Sequence, residues 1–288
     1  MLQLEEVNPP LMEKKLPPGL YIVATPIGNL GDLSPRAAET LRNADRILVE
    51  DTRVTAKLLA HIGAKVPMVR YDDHSRDADR DRIVAHLGEE AVALVSDAGT
   101  PLISDPGYKL VRAARAEGHD VRTVPGPCAA IAALTLAGLP TDRFLFLGFL
   151  PAKTKARSDA IAEIARVRAT LLIYESGQRL ADTLLALSAG LGPREAAVAR
   201  EITKIHEECV TGTLGELAAR YADALPKGEI VIVVAPLLEA EVVSDEILDR
   251  MLDEALARLS PSRAAAEVAE QLNIPRKRAY ARALERAG

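Results

Sequence analysis

Short apolar runs recur along most of the chain, and each is followed by a turn-rich segment and then by a stretch of helical periodicity. Runs at 20–24, 46–50, 68–70, 91–95 and 121–124 have the length and β-branched character of buried strands. Between them, 34–43 opens with Ser34 as N-cap and Pro35 at the first helical position. Further helices are predicted over 52–61, over a strongly charged 75–87, over 108–117 and over an Ala-rich 129–136. Strands alternating with helices predict βαβ units and a mostly parallel sheet. A second α/β stretch has strands at 144–147, 170–174, 196–200 and 229–234 and helices at 154–166, 179–188 and 214–221. A hairpin-like piece over 203–213 implies antiparallel pairing, hence a mixed second sheet.

After Pro236 the pattern changes: 239–254 is acidic, and two helical patterns follow. Ser260 and Pro261 start the first, with Ala265, Val268, Ala269 and Leu272 at i, i+3, i+4 and i+7. A turn at 273–275 leads to a helix over 276–286 that carries Arg276, Lys277, Arg278, Arg282 and Arg286. Helix, short turn and basic helix form the helix-turn-helix pattern, or else a helical cap with a solvated face. The expected organisation is a flexible, Pro-broken leader (1–18), an N-terminal α/β domain (19–125), a second α/β domain (126–238) and a C-terminal helical domain (239–288).

Composition narrows this picture. At 288 residues the chain suits two or three domains. Aromatics are 3% and Trp is absent, so the cores must be Leu, Ile, Val and Ala. A net charge of −5 argues against binding nucleic acid over the whole surface, but leaves room for a local basic site. Cys128 and Cys209 match no zinc spacing and suit a reducing cytoplasm. No signal core and no 18-residue apolar run is present, so a soluble, cytoplasmic protein without membrane contact is expected. The five histidines show no metal-ligand spacing, and no metal is expected. Dinucleotide, Walker A and nucleophile-elbow motifs are all missing.

The chemistry lies in three Gly/Pro loops at strand ends: 25–33, 96–107 and 125–129. The second, S-D-A-G-T-P-L-I-S-D-P-G, is twelve residues long, where a βα loop ordinarily takes about two to six. If the three strands are parallel neighbours, the loops share one edge and line a cleft with backbone groups. Such a cleft suits a compact cofactor with an amino-acid end and a nucleoside end. The plain alternative is a set of surface turns with helix caps.

Seven blocks occur in order: V-A-T-P-I-G-N-L-G-D (23–32), V-E-D-T-R (49–53), S-D-A-G-T-P-L-I-S-D-P-G (96–107), V-P-G-P-C-A-A (124–130), F-L-G-F-L-P (146–151), Y-E-S (174–176) and R-E-I-T-K-I-H-E-E (200–208). Together they resemble the tetrapyrrole-methylase superfamily over about residues 19–236. Within it they are most similar to the 16S ribosomal RNA (cytidine-2′-O)-methyltransferases that act near the decoding centre. The basic tail is similar to that group's helix-turn-helix extension. The resemblance implies two α/β domains with S-adenosylmethionine in the cleft between them, and a homodimer. By position it implies donor contacts from Pro26, Ala98, Gly99, Thr100, Ile103, Cys128, Ala129, Glu175 and Ile202. Many corrin-type members carry an acid where Thr100 stands. This chain also departs from the ribosomal group at His74–Ser75–Arg76 and at Ser176–Gly177–Gln178–Arg179.

The implied reaction is in-line attack by a ribose O2′ on the donor's methyl group, helped by a base or by a cation that stabilises the alkoxide. Lys204 is the candidate catalytic cation or base, with Glu201 beside it. Glu50 and Asp51 beside Arg53 are a further acidic pair. Arg53, Arg200 and His206 are candidates for holding phosphate or base. Each is also readable as a surface ion pair, or for Glu50 and Asp51 as a helix cap. The expected partner is 16S rRNA in the assembled small ribosomal subunit, since a folded site can be read by shape and a local basic patch. Two other readings stand beside this one: a methylase of a small tetrapyrrole-like or protein substrate, and a DNA-binding regulator that senses a metabolite.

Overall fold

The computed structural model describes residues 15–72, 76–223, 226–237, 245–272 and 274–287. Most of the expected leader, His74 and Ser75, residues 239–244 and Asn273 lie outside the described residues. The chain divides into two compact units, Met1–Pro236 and Leu237–Gly288.

The first unit begins with a five-stranded sheet made of β1 (Gly19–Val23), β2 (Arg46–Val49), β3 (Met68–Arg70), β4 (Ala91–Leu94) and β5 (Val121–Val124). All neighbours are parallel, in the order β3-β2-β4-β1-β5. The connecting helices are α1 (Pro35–Asn43), α2 (Thr52–His61), α3 (Asp77–His86) and α4 (Tyr108–Ala116). Strand side chains alternate between faces, and both faces are covered. Tyr21, Val23, Ile47 and Val49 pack with Ala37, Leu41 and Leu58 on one side. Leu20, Leu48 and Val92 pack with Val84 and Leu110 on the other. Ser34 caps α1 as expected, its Oγ accepting from Ala37 N at 3.1 Å.

The second sheet follows α5 (Ala129–Leu136) and contains β6 (Phe144–Phe149), β7 (Thr170–Ser176), β8 (Glu195–Arg200), β9 (Glu208–Thr213) and β10 (Glu229–Val234). Its order is β6-β7-β10-β8-β9, with β6–β7 parallel and the other pairs antiparallel. Helices α6 (Thr154–Ile164), α7 (Leu180–Leu191) and α8 (Leu214–Tyr221) cover one face around Leu171, Ile173, Leu184 and Leu217. The Ala-rich α5 covers the other, where Ala133 and Leu134 meet Leu172, Val231 and Val233. The expected mixed sheet is present. Its hairpin starts later than the sequence pattern placed it. Residues 201–207 form a tight loop in which Glu201 and Thr203 have φ of 49° and 65°, so strand geometry resumes only at Glu208.

The C-terminal unit packs α9 (Asp245–Leu256), α10 (Pro261–Gln271) and α11 (Arg276–Ala287) around Leu248, Leu252, Ala265, Val268 and Ala283. Its basic helix is not an open cationic face. Arg278, Arg282 and Arg286 pair with Asp245, Asp249 and Asp253 at 2.9, 2.7 and 2.5 Å. Both rows repeat every four residues, so each presents one helix face to the other.

Hydrogen bonds from Arg282 and Arg286 hold the Asp249 and Asp253 carboxyls below the ordinary carboxylate range. A depressed folded-state pKa contributes stability above the unfolded value, near pH 4, and loses it as pH falls further. Asp249→Asn should therefore lower the melting temperature of the helical C-terminal transition at pH 7 in low salt. The difference should shrink below about pH 3 and at about 1 M salt, where screening is within about 3 Å. Circular dichroism melts of the full chain over pH and salt check this.

Candidate functional site

The strand order places β4, β1 and β5 side by side, so the three Gly/Pro loops leave one sheet edge together. They are bonded to one another through backbone groups. Thr25 N donates to Gly99 O at 2.8 Å, and Gly99 N donates to Thr25 O at 3.2 Å. The buried Thr25 hydroxyl donates to Ser96 O at 3.3 Å. Thr100 Oγ1 donates to Pro127 O at 2.9 Å, which ties the second loop to the third. Gly99 has φ of +87°, and a Cβ there would stand 3.2 Å from Ile27 Cγ2, so a side chain is both strained and crowded. Leu102 and Ser104 hold φ of 74° and 63°, further signs of a loop whose path is imposed.

Against these loops the ends of β6, β7 and β10 close a cavity of about 350 Å³. Ala98, Gly99, Thr100, Ile103, Cys128 and Ala129 line it from the first sheet's loops. Phe149, Tyr174, Glu175 and Ile230 line it from the second sheet. Seven of the nine expected donor contacts are therefore on one wall system. Pro26 lines the adjoining cavity instead. Ile202 lines neither; it packs on the apolar cluster beneath α5, as Cys128 and Ala129 also do.

Glu175 differs in kind from the other wall residues. Its side chain is fully enclosed, and its carboxylate accepts from Thr183 Oγ1 at 2.7 Å and Ser176 N at 2.8 Å, with Arg179 at 3.4 Å. Only its backbone is left to border the cavity. Arg179 also donates to Leu150 O at 2.6 Å. A Cβ on Gly177 would fall 1.7 Å from Pro226 O. The departure at Ser176–Gly177–Gln178–Arg179 thus builds a tight corner beneath the cavity.

Sequence reasoning passed over Tyr174, Asp97, Asp105 and Glu229. The Tyr174 hydroxyl accepts from Ala130 N at 3.2 Å, and its ring meets Phe146 and Phe149 edge-on at 4.9 and 5.6 Å. Burial pushes its phenol above the ordinary range. Burial also pushes the Asp105 carboxyl up to about 6; a Ser96 hydrogen bond opposes the rise, and Asp97 and Glu229 add to it. The signal for both aspartates was their place in the twelve-residue loop. Glu229 opens an apolar strand, and nothing marked it.

A second cavity of about 390 Å³ shares Ile27, Asp97, Ala98 and Glu229 with the first. Lys204 reaches into it, with Nζ 3.0 Å from Glu201 Oε1 and 3.6 Å from Glu229 Oε2. Its stem lies over Gly28, where a Cβ would stand 2.5 Å from Lys204 Cγ. Burial works against the Lys204 charge, but Glu201 and Glu229 outweigh it and raise the pKa above the ordinary lysine value. The two carboxylates hold the ammonium in place and favour its charged form. Lys57, one turn along α2 from Arg53, also lines this cavity and was missed. Arg53 itself is 87% exposed, pairs with the α2 cap Asp51 at 2.6 Å and lines neither cavity. Arg200 and His206 lie with Glu201 on a third cavity. Among the described residues no group of three or more His, Cys, Asp or Glu is placed to hold a metal, and no helix is long and apolar enough to cross a membrane.

Comparison with known proteins agrees with this fold. The tetrapyrrole (corrin/porphyrin) methylases match residues 19–218, and the RsmI C-terminal HTH domain matches 241–287. A protein of Erythrobacter litoralis named ribosomal RNA small subunit methyltransferase I is 56% identical over 270 residues, covering 94% of this chain and 96% of its own length. The protein of the same name from Escherichia coli O157:H7 is 45% identical, with 93% and 96% covered. Among solved structures, diphthine synthase superposes with a TM-score of 0.61 at 17% identity, covering 76% of this chain and 90% of its own. Uroporphyrin-III C-methyltransferase from Thermus thermophilus, complexed with S-adenyl homocysteine, gives a TM-score of 0.52 at 22% identity, with 75% and 96% covered. The chain belongs to the tetrapyrrole (corrin/porphyrin) methylase family and is a methyltransferase that carries the RsmI-type C-terminal domain.

Proposed function

We propose that this protein methylates the 2′-hydroxyl of a cytidine in 16S rRNA near the decoding centre, on the assembled small ribosomal subunit, with S-adenosylmethionine as donor. The observation that carries the reading is the pair of adjoining cavities, with Lys204 in the second held against Glu229 on their shared wall. The relatives' names point to ribosomal RNA, and a ribosomal substrate implies a cytoplasmic site of action. A homodimer, as the family resemblance implies, belongs to the same proposal.

The first cavity fits the donor. Its volume of about 350 Å³ lies within the span of small-molecule sites, about 300–1,000 Å³. Ala98, Thr100 and Ala129 offer backbone groups, Gly99 leaves room for close approach, Ile103 and Phe149 offer apolar surface, and Asp105 offers negative charge. When bound, S-adenosylmethionine supplies an electrophilic methyl group and a formal positive charge.

The protein's own work is position and electrostatics. Lys204, kept protonated between Glu201 and Glu229, places positive charge where a ribose oxygen develops negative charge. Glu201 positions that ammonium. The shared wall of the two cavities, Ile27, Asp97, Ala98 and Glu229, sets the nucleophile's side next to the donor's side.

Three outcomes follow. Lys204→Ala should lower methyl transfer to unmodified small subunits by about 100- to 1,000-fold, the size expected for removing an electrostatic stabiliser. Its affinity for S-adenosylhomocysteine in calorimetry should stay unchanged; equal transfer rates would remove Lys204 from the mechanism. Gly99→Val should abolish S-adenosylhomocysteine binding, because its side chain meets Ile27 and forces a strained φ.

The third outcome concerns pH. Asp105 ionises near 6, and only its carboxylate favours the cationic donor. The affinity for S-adenosylmethionine relative to uncharged-sulfur S-adenosylhomocysteine should therefore fall as pH drops from 8 to 5, and Asp105→Asn should flatten that ratio. Mapping the ribose methylation on subunits and on naked transcript decides the substrate. Equal activity on both would refute the assembled-subunit reading.

A further inference from the structure

We propose that the cavity beside the β8–β9 hairpin is a subsite for a phosphodiester of the RNA strand that flanks the reacting ribose. The proposal rests on the RNA methylation reading above and adds where the backbone is gripped. The cavity holds about 610 Å³ and gathers Arg200 from the end of β8, His206 from the hairpin loop, Arg220 and Tyr221 from α8, and Lys227 from the approach to β10.

The two acids on its wall are already answered. Glu201 is engaged by Lys204 at 3.0 Å and Glu208 by Arg200 at 2.5 Å. Beyond those pairs the remaining wall charges are cationic. A guanidinium fork, an ammonium and a hydroxyl donor are the groups that bind phosphate oxygens.

Tyr221 is the second, independent observation. It is 5% exposed, packs in the core beneath α8, and its hydroxyl proton finds no acceptor among the described residues. Arg220 and Arg200 act on its oxygen, Arg220 as a side-chain hydrogen-bond donor, but a guanidinium cannot accept, so the phenol's own proton is left without an acceptor. Burial pushes the phenol up, so it remains a donor at neutral pH. Buried polar groups are rarely left unpaired, and each exception needs a reason. The place of Arg220 in the last turn of α8 is explained by the helix's negative end. That explanation leaves the Tyr221 hydroxyl unaccounted for; a phosphate oxygen accounts for both.

The position suits a flanking phosphate. Glu201 lines this cavity and also holds Lys204, which lines the second cavity. One residue pair thus separates the proposed phosphate site from the proposed ribose site.

The test measures binding and transfer separately, with the full chain. Affinity for unmodified small subunits is measured by filter binding in the presence of S-adenosylhomocysteine, over a range of salt. Arg220→Ala with Lys227→Ala should weaken binding about tenfold and reduce the salt slope by about 1, for the one phosphate no longer neutralised. Tyr221→Phe, which removes only the hydroxyl whose proton is unpaired, should weaken binding about threefold with a melting temperature equal to or above that of the parent. S-adenosylhomocysteine affinity should be unchanged in both. Unchanged affinity and salt slope in folded variants overturn the subsite. So does loss of inorganic phosphate binding alone while subunits bind as before, which marks a free-anion site. A wild-type chain that binds subunits in this variant-sensitive way but transfers no methyl leaves the subsite standing and refutes the methylation reading. Transfer that persists with variants of parental affinity refutes the subsite alone.

Discussion

The adjacency of β4, β1 and β5 is the constraint on which the rest of the site depends. Parallel strands end at the same edge, and their loops there must satisfy their own backbone groups. In this chain the loops do so by bonding to each other: Thr25 with Gly99 in both directions, and Thr100 with Pro127. The loop side of the cavity wall is therefore held by backbone bonds and by one side-chain hydroxyl, Thr100. Neutral Thr100 joins two loops through its hydroxyl. The negative charge at the cavity comes from Asp105, Asp97 and Glu229, and the second sheet supplies one of the three.

That second sheet is built on different terms. Its antiparallel hairpin lets a seven-residue loop, 201–207, reach over the first sheet's loops. Thr203 Oγ1 donates to Asp32 at 2.5 Å, and the Lys204 stem covers Gly28. Left-handed backbone at Glu201 and Thr203 is the cost of aiming Lys204 into the cavity while Glu201 stays beside it. The cation's pKa follows from the same arrangement: partial burial alone would weaken the charge, and two carboxylates restore it.

Much of this was legible in sequence, for identifiable reasons. Alternation of apolar runs with helices made the parallel sheet readable, and the Gly/Pro density of 25–33, 96–107 and 125–129 marked the loops that form the cavity. Three things were not legible. The direction of the Glu175 side chain depends on strand phase and on a buried partner, Thr183, eight residues on. The contribution of Glu229 depends on an antiparallel neighbour, since it pairs in register with Ser176. The roles of Lys57 and Tyr221 depend on which face of a helix meets a cavity, and a motif records no such thing. The basic run at 276–286 was legible as the last helix of a helix-turn-helix pattern, but its pairing was not. Its charge count was correct, but the acidic helix that answers it begins some thirty residues earlier.

Charge placement connects these observations. A chain of net charge −5 is repelled at long range by a polyanion, and only within about a Debye length, near 8–10 Å, does local charge decide. Arg278, Arg282 and Arg286 are spent on cohesion within the C-terminal unit, so they add little to an open cationic surface. The cations on the proposed substrate side are Lys57, Lys204, Arg200, Arg220 and Lys227, drawn from both sheets and set around two cavities. Such a distribution makes affinity for arbitrary RNA weak and rewards a strand that presents ribose and phosphate at the right spacing. The proposed selectivity for a folded ribosomal site rests on geometry more than on total charge.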